Sequence, residues 1–263
     1  MVEKQSYKHG TFSWVDLSTT DQPAAKSFYQ ELFGWDAEDM PVAEGVTYTM
    51  FSINGKNVAA LSEMQQEMKD QGVPPHWNSY ITVDSADDIA AKAKELGGTL
   101  MMDPFDVFDA GRMTVIMDPQ SAAFSVWEPK DHIGAHLVNE PNTLCWNELA
   151  SKDIAQSKEF YNKLFGWDTD IMETPQGPYH VIKNGEDMNG GMLQMTKEWG
   201  DMPPHWAAYF GVADCDTTAN KLKELGGSVK HGPFDAPDVG RIAAVTDPQG
   251  GYFYIIQFVA PSS

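Results

Sequence analysis

TFSWVDLSTTDQPAAKSFYQELFGWDAEDM, residues 11–40, aligns without a gap on TLCWNELASKDIAQSKEFYNKLFGWDTDIM, residues 143–172. Trp14 falls on Trp146, Asp21 on Asp153, Phe28-Tyr29 on Phe160-Tyr161, and Leu32 to Asp36 on Leu164 to Asp168. The match continues outward. VPPHWNSYITV at 73–83 answers MPPHWAAYFGV at 202–212, Leu96-Gly97-Gly98 answers Leu225-Gly226-Gly227, and Asp118-Pro119-Gln120 answers Asp247-Pro248-Gln249. A duplication of this kind constrains the architecture before any local reading is made. It divides the chain into a first unit at 1–130, a polar, proline-flanked linker at 131–142 and a second unit at 143–263.

Inside each repeat one order of elements occurs twice. A strand at 11–17 is followed by a helix that Asp21 caps, with Pro23 in its first turn, Ala24, Phe28 and Leu32 along one face, and Gly34 as its stop. Strands at 47–53 and 57–61 flank Asn54-Gly55, a hairpin signal. The next module opens with a strand at 79–83 and a helix at 86–96, capped by Ser85 and stopped by Gly97. Strands at 112–117 and 123–127 then meet at an Asp-Pro-Gln-Ser turn. Each module therefore reads as strand, helix and about three strands, an α+β arrangement of four βαβββ modules in two tandem repeats.

The composition bounds function by exclusion. At roughly 150 residues per domain, 263 residues suit two compact units. Hydrophobic residues at 42% supply core material for both. Lys and Arg number 18 against 38 Asp and Glu, a net charge of −20 that repels phosphate backbones and anionic lipid, so neither nucleic acid nor a membrane surface is an expected partner. No apolar run approaches the length of a membrane span, and the first residues lack the apolar stretch of a secretory signal, which implies a cytoplasmic protein. The two cysteines, Cys145 and Cys215, form no CxxC and read as free thiols, Cys215 near a helix start that favours a thiolate. Walker, GxGxxG, GxSxG and HExxH motifs are missing from the sequence.

Four such modules, the FYxxLFGW helix end, the LGG stop and the DPxG-like turn before the last strand resemble the vicinal oxygen chelate superfamily: glyoxalase I, bleomycin-resistance proteins and extradiol dioxygenases. The resemblance is to its two-repeat bacterial glyoxalase-like members and covers nearly the whole chain. It implies curved mixed sheets that form two barrel-like cavities, in which the enzymes of the family hold a divalent metal with inward His and Glu. Carried over by position, the family's first-strand ligand falls on Trp14 and Trp146, the ligand opening the next module on Asn78 and Ala207, the closing Glu on Ser125 and Tyr254, and the remaining ligand near Ala60 and Gly191. None of these has the imidazole or carboxylate that a divalent ion needs, so the expectation is no metal and no cofactor. His76 and His205, in the repeated Pro-Pro-His-Trp, sit just before a strand and read as local hydrogen-bond partners; His9, His132, His136, His180 and His231 read as solvated.

Strand alternation sends residues 12, 14 and 16, and likewise 144, 146 and 148, to one face. Asp16 and Glu148 then stand beside an indole, where desolvation raises a carboxyl pKa and suits it to catalytic proton transfer. Arg112 and Arg241 are candidate anchors for a carboxylate or phosphate of a ligand, or for a salt bridge at the rim. Trp14, Trp146, Asn78, Tyr80, Trp127, Tyr209 and Tyr254 complete the candidate lining. The 14 methionines make that lining adaptable. The expected function is metal-independent binding of a small planar or hydrophobic organic molecule between modules, by a monomer or homodimer. The alternative is a glyoxalase-like lyase or dioxygenase with a non-standard metal site or a metal-free carboxylate mechanism.

Overall fold

The structure, a computed structural model, describes residues 3–174 and 177–259. The first module contains β1 (Thr11–Thr19), α1 (Gln22–Phe33), β2 (Asp36–Ala43), β3 (Val46–Ile53) and β4 (Lys56–Glu63). A short α2 (Gln66–Asp70) leads to the second, β5 (His76–Thr82), α3 (Ala86–Glu95), β6 (Thr99–Val107), β7 (Gly111–Met117) and β8 (Ala123–Pro129). The second repeat follows the same order. Its third module is β9 (Leu144–Ser151), α4 (Ile154–Phe165), β10 (Asp168–Thr174), β11 (Gly177–Asn184) and β12 (Asp187–Gln194). Its fourth is β13 (His205–Gly211), α5 (Cys215–Glu224), β14 (Ser228–Ala236), β15 (Gly240–Thr246) and β16 (Tyr252–Phe258).

The helix boundaries follow the local chemistry. Asp21 accepts a hydrogen bond from the Ala24 amide at 3.0 Å and Asp153 accepts one from Gln156 at 3.0 Å, each satisfying an otherwise orphaned N–H. Gly34 and Gly166 end those helices at φ 71° and 74°, a conformation that costs glycine nothing. Asn54 and Gly55, at φ 51° and 73°, make the tight turn between β3 and β4. The buried face of α1 is Ala25, Phe28, Tyr29, Leu32 and Phe33; Ala24, expected inside, is exposed.

Each repeat is one curved eight-stranded sheet. Its modules join where β1 pairs antiparallel with β5, and β9 with β13. In each module the first strand also lies parallel to the last, as β1 does to β4 and β5 to β8. The sheets are cups rather than closed barrels: among the described residues β2, β6, β10 and β14 each pair with a single strand. A parallel contact of Tyr252 with His76 joins the two sheets.

The two faces of each sheet serve different cores. The concave faces line a cup within each repeat, with Trp14, Ala60, Tyr80 and Trp127 clustered in the first and Ala207, Tyr209, Ile242 and Tyr254 in the second. The helix-covered faces pack across the repeats. Phe28, Tyr29 and Phe51 of the first module share a core with Phe210, Leu222 and Phe253 of the fourth. Ile89 and Phe124 of the second share another with Phe160, Tyr161 and Leu164 of the third.

Paired hydrogen bonds lock these shared cores. The Tyr29 hydroxyl donates to Asp247 at 2.9 Å and accepts from the Trp77 indole at 3.2 Å; Tyr161 donates to Asp118 at 3.1 Å and accepts from Trp206 at 2.9 Å. The ammonium groups of Lys92 and Lys221 donate to the carbonyls of Leu164 and Leu32 near the ends of α4 and α1 in the opposite repeat. The residues that made the duplication visible are thus largely those that hold its halves together.

Residues 131–142 are packed into this frame. Ala135 and Leu137 are buried, the Ala135 amide donates to the Ser13 carbonyl at 2.8 Å, and the His136 amide donates to Asn57 at 2.7 Å. The segment stops one side of the first cup. No helix among the described residues is long and apolar enough to cross a membrane.

Candidate functional site

The strand registers assemble the cup floors. Asp16 lies between Ala60 of β4 and Asn78 of β5, while Trp14 lies beside Tyr80, which lies beside Ser125 of β8. The second repeat copies this: Glu148 lies between Gly191 and Ala207, and Trp146 beside Tyr209, which lies beside Tyr254. The positions implied by the family resemblance therefore converge on two neighbouring rungs of each sheet. At the level of Ala60 and Asn78, however, the first-strand residue is Asp16 rather than Trp14.

In the first cup the Trp14 indole donates to the Tyr48 hydroxyl at 3.1 Å, and Tyr48 donates to Asp16 Oδ2 at 3.0 Å. Tyr80 donates to the same oxygen at 2.8 Å, and the Asn78 amide donates to Oδ1 at 2.8 Å and to Ser18 Oγ at 3.2 Å. Burial pushes the Asp16 carboxyl above the usual carboxylate range, while Asn78, Tyr80 and Tyr48 pull it part of the way back. The second cup repeats the chain of donors. Trp146 donates to Tyr179 at 2.8 Å, and Tyr209 donates to Glu148 Oε1 at 2.9 Å. Glu148 is likewise raised by burial, with Tyr179 and Tyr209 opposing. Tyr254 stacks on Tyr209 at 4.2 Å and an interplanar angle of 10°.

The structure thus brings together Trp14, Asp16, Asn78 and Tyr80, with Trp127 in the same cluster, and separately Trp146, Glu148, Tyr209 and Tyr254. Arg112 and Arg241 do not join them. Arg112 forms a two-pronged pair with Asp87 in the first turn of α3, at 2.7 and 3.0 Å, and Arg241 pairs with Asp216 of α5 and with Asp235. Their guanidinium donors serve rim ion pairs, the second of the two roles the sequence left open.

Several expectations need correction. Phe12 and Leu144 do not share a face with Trp14 and Trp146: a β-bulge between Phe12 and Trp14, and another opposite Leu144, turn them into the cross-repeat cores. Cys215 is a free thiol, as read, but it is buried at the start of α5, and burial pushes it up to about 11, against the thiolate that a helix start favours. His76 and His205 open their strands rather than preceding them, and each ring nitrogen Nδ1 meets a proline carbonyl two residues back, at 2.8 and 2.9 Å. His132 is not solvated. Its ring packs edge-on to Trp14 at 4.7 Å, its Nε2 is buried with no hydrogen-bond partner among the described residues, and burial pushes its pKa down to about 4.

The sequence reading missed Tyr48, Tyr179 and His132. Both tyrosines precede an Asn-Gly turn, Asn54-Gly55 and Asn184-Gly185, but at spacings that differ by one residue, which hid the equivalence. Among the described residues no cluster of three or more His, Cys, Asp or Glu side chains is placed to hold a metal ion.

Comparison with known proteins agrees with this architecture. Proteins of Mycobacterium bovis and Mycobacterium tuberculosis named "Putative glyoxylase CFP32" are 44% identical over 259 residues, 98% of each chain. The anthracycline biosynthesis protein DnrV of Streptomyces peucetius is 35% identical, over 94% of this chain and 93% of its own. Among solved structures, the Mn(II)-bound glyoxalase from Novosphingobium aromaticivorans superposes with a TM-score of 0.64 at 15% identity, over 97% of this chain and 86% of that one. The 2,3-dioxygenase LapB from Pseudomonas sp. KL28 gives 0.66 at 11%, over 97% and 96%. These two likenesses concern the fold. With residues 11–126 and 133–254 each matching the family, the chain belongs to the Glyoxalase/Bleomycin resistance protein/Dioxygenase superfamily.

Proposed function

We propose that this protein binds a small planar, hydrophobic organic molecule in a cup formed by the two modules of a repeat, and does so without a metal. The observation that carries the reading is the donor chemistry at the cup floors. Where a divalent ion would need several imidazoles or carboxylates, each cup offers one carboxyl that accepts from two phenols and, in the first cup, an amide, with an indole donating to one of the phenols. Those groups do not fit a metal. They fit a pocket in which aromatic walls supply contact area and a few polar atoms fix orientation. The half-buried Met50 and Met113 beside the first cup add adaptable surface. Two relatives named for anthracycline biosynthesis are consistent with this, since anthracyclines are planar polycyclic ketones.

A catalytic reading has one observation in its favour. A buried carboxyl whose pKa is raised and whose partners are phenols is suited to moving a proton, as acid or base, at Asp16 or Glu148. The net charge and the two free thiols suit the cytoplasm, and we take the protein to act there as a monomer or homodimer.

Thermal unfolding in the presence of chelator, screened against planar ketones, quinones and aldehydes, tests the binding reading. A ligand at about 100 times its Kd adds about 2.7 kcal/mol of stability, a readily measured rise in Tm. A rise that persists with chelator is the expected result. A rise that appears only with added divalent metal would overturn the reading.

A further inference from the structure

Residues 131–138 join the repeats, and they also lie as a strap along one side of the first cup. The Ala110 carbonyl accepts from the amides of Lys130 and His132, both at 3.0 Å, and the Trp127 indole donates to the His132 carbonyl at 2.7 Å. Further along, the Ala135 amide donates to Ser13 of β1 and the His136 amide to Asn57 of β4. The amino-terminal segment grips the strap as well: the Tyr7 hydroxyl donates to the Ala135 carbonyl and the Lys4 amide to that of His136. Gly134 permits the close fit. It stands at φ 106°, and a Cβ there would lie 2.5 Å from the Ser13 carbonyl oxygen.

Two imidazoles in this strap are left unsatisfied. His132 Nε2 and His136 Nδ1 are buried with no hydrogen-bond partner among the described residues, and the His132 ring packs against the indoles of Trp14 and Trp127 at 4.7 and 5.9 Å. A neutral imidazole can leave a lone pair there. An imidazolium must put an N–H on that buried nitrogen with nothing to accept it, and must shed its hydration. The charged groups on the surrounding elements give little relief. Asp16 of β1 is engaged by Tyr48, Tyr80 and Asn78, and Glu128 of β8 accepts from the Ala86 amide. Around the turn between β6 and β7, Asp106 pairs with Lys130 and Arg112, while Asp109 and Asp131 are exposed. Glu3, paired with Lys56, acts on His136. Burial, helped by repulsion from His136, holds the His132 pKa down to about 4.

We propose that the strap of residues 131–138 is an acid-released stopper of the first cup, with His132 as its trigger: neutral His132 keeps the strap seated, and protonated His132 unseats it and uncovers Trp14. Opening is thereby linked to proton uptake. With a free imidazole at about 6.5 and the seated one at about 4, the seated state is fully favoured above about pH 6.5 and loses that advantage as pH falls toward 4. From about pH 7.5 to about pH 5 the opening equilibrium rises about thirtyfold on these two values. Histidine protonation releases buried contacts in this way wherever the seated form has no place for the charge.

Hydrogen exchange of the full chain at about pH 7.5 and about pH 5, with each rate divided by the intrinsic rate at that pH, tests this. The expected result is a fall of about thirtyfold in the protection of the Ala135 and His136 amides, while strand amides in the cross-repeat cores keep theirs. His132→Phe keeps a ring against Trp14 but takes up no proton, and should abolish most of the fall. Gly134→Ala should leave the strap unprotected at both pH values; full protection in that variant overturns the seating. Equal protection of the unaltered chain at the two pH values, or the same fall in folded His132→Phe, overturns the trigger. A fall shared by the core strands is acid unfolding of the whole chain and overturns the stopper. Where His132→Phe does not fold, proton NMR titration of His132 in the unaltered protein decides: a value far below the ordinary one of about 6.5 is expected, and an ordinary value overturns the proposal.

Discussion

Asp16 and Glu148 set the behaviour of the cups at the scale of single residues. Their folded pKa values are raised, so the stability they contribute is fully present below the unfolded value of about 4 and is lost as pH rises through the folded value. In Asp16→Asn that loss is removed. Its Tm relative to the unaltered protein should therefore climb as pH is raised from about 4 toward neutrality; a constant difference across the range would show that Asp16 does not titrate as described. Tyr48→Phe deletes the donor to Asp16 and the acceptor of the Trp14 indole, which should cost about 1–3 kcal/mol in denaturant unfolding. Trp14 and Asp16 were legible in the sequence because alternation along a strand places them on one face without long-range information, Asn78 because the family resemblance carries a ligand position onto it, and Tyr80 because it lies on the same strand. Tyr48 was not, because its approach to Asp16 depends on how β3 registers through β4 onto β1, which no local pattern encodes. His132 was hidden for a related reason: a polar, proline-flanked stretch reads as solvated, and its burial depends on the cup it closes.

Elements explain why the arginines left the site. Arg112 and Arg241 start β7 and β15, where inward placement is one of two outcomes, and the first-turn acids Asp87 and Asp216 of α3 and α5 capture them instead. An acid at a helix N-terminus is already favoured by the helix dipole, so it makes a ready partner. Arg112→Met and Arg241→Met should therefore leave ligand affinity unchanged; a clear loss in either would return that arginine to the binding surface. Helix starts were the most legible elements, since Asp21, Ser85 and Asp153 cap the helices that the sequence assigns them. The β-bulges were not, because alternation carries no sign of the residue at which it will be interrupted.

For the whole molecule, the sequence showed two repeats but not how they interlock. Periodicity marks a buried face without naming what covers it, and here the helix-side faces are covered by the opposite repeat. Unfolding should accordingly be a single transition by calorimetry, and Phe210→Ala should lower the stability of the entire chain by about 3–5 kcal/mol rather than melt one half. The cups, with their carboxyl clusters, sit on the other faces of the same sheets. The claim on which the functional account rests is that these clusters hold no metal. Elemental analysis of protein saturated with Mn(II), Fe(II) or Zn(II) and then desalted tests it most directly: the account predicts far less than one ion per chain, and about one retained ion per repeat would contradict it.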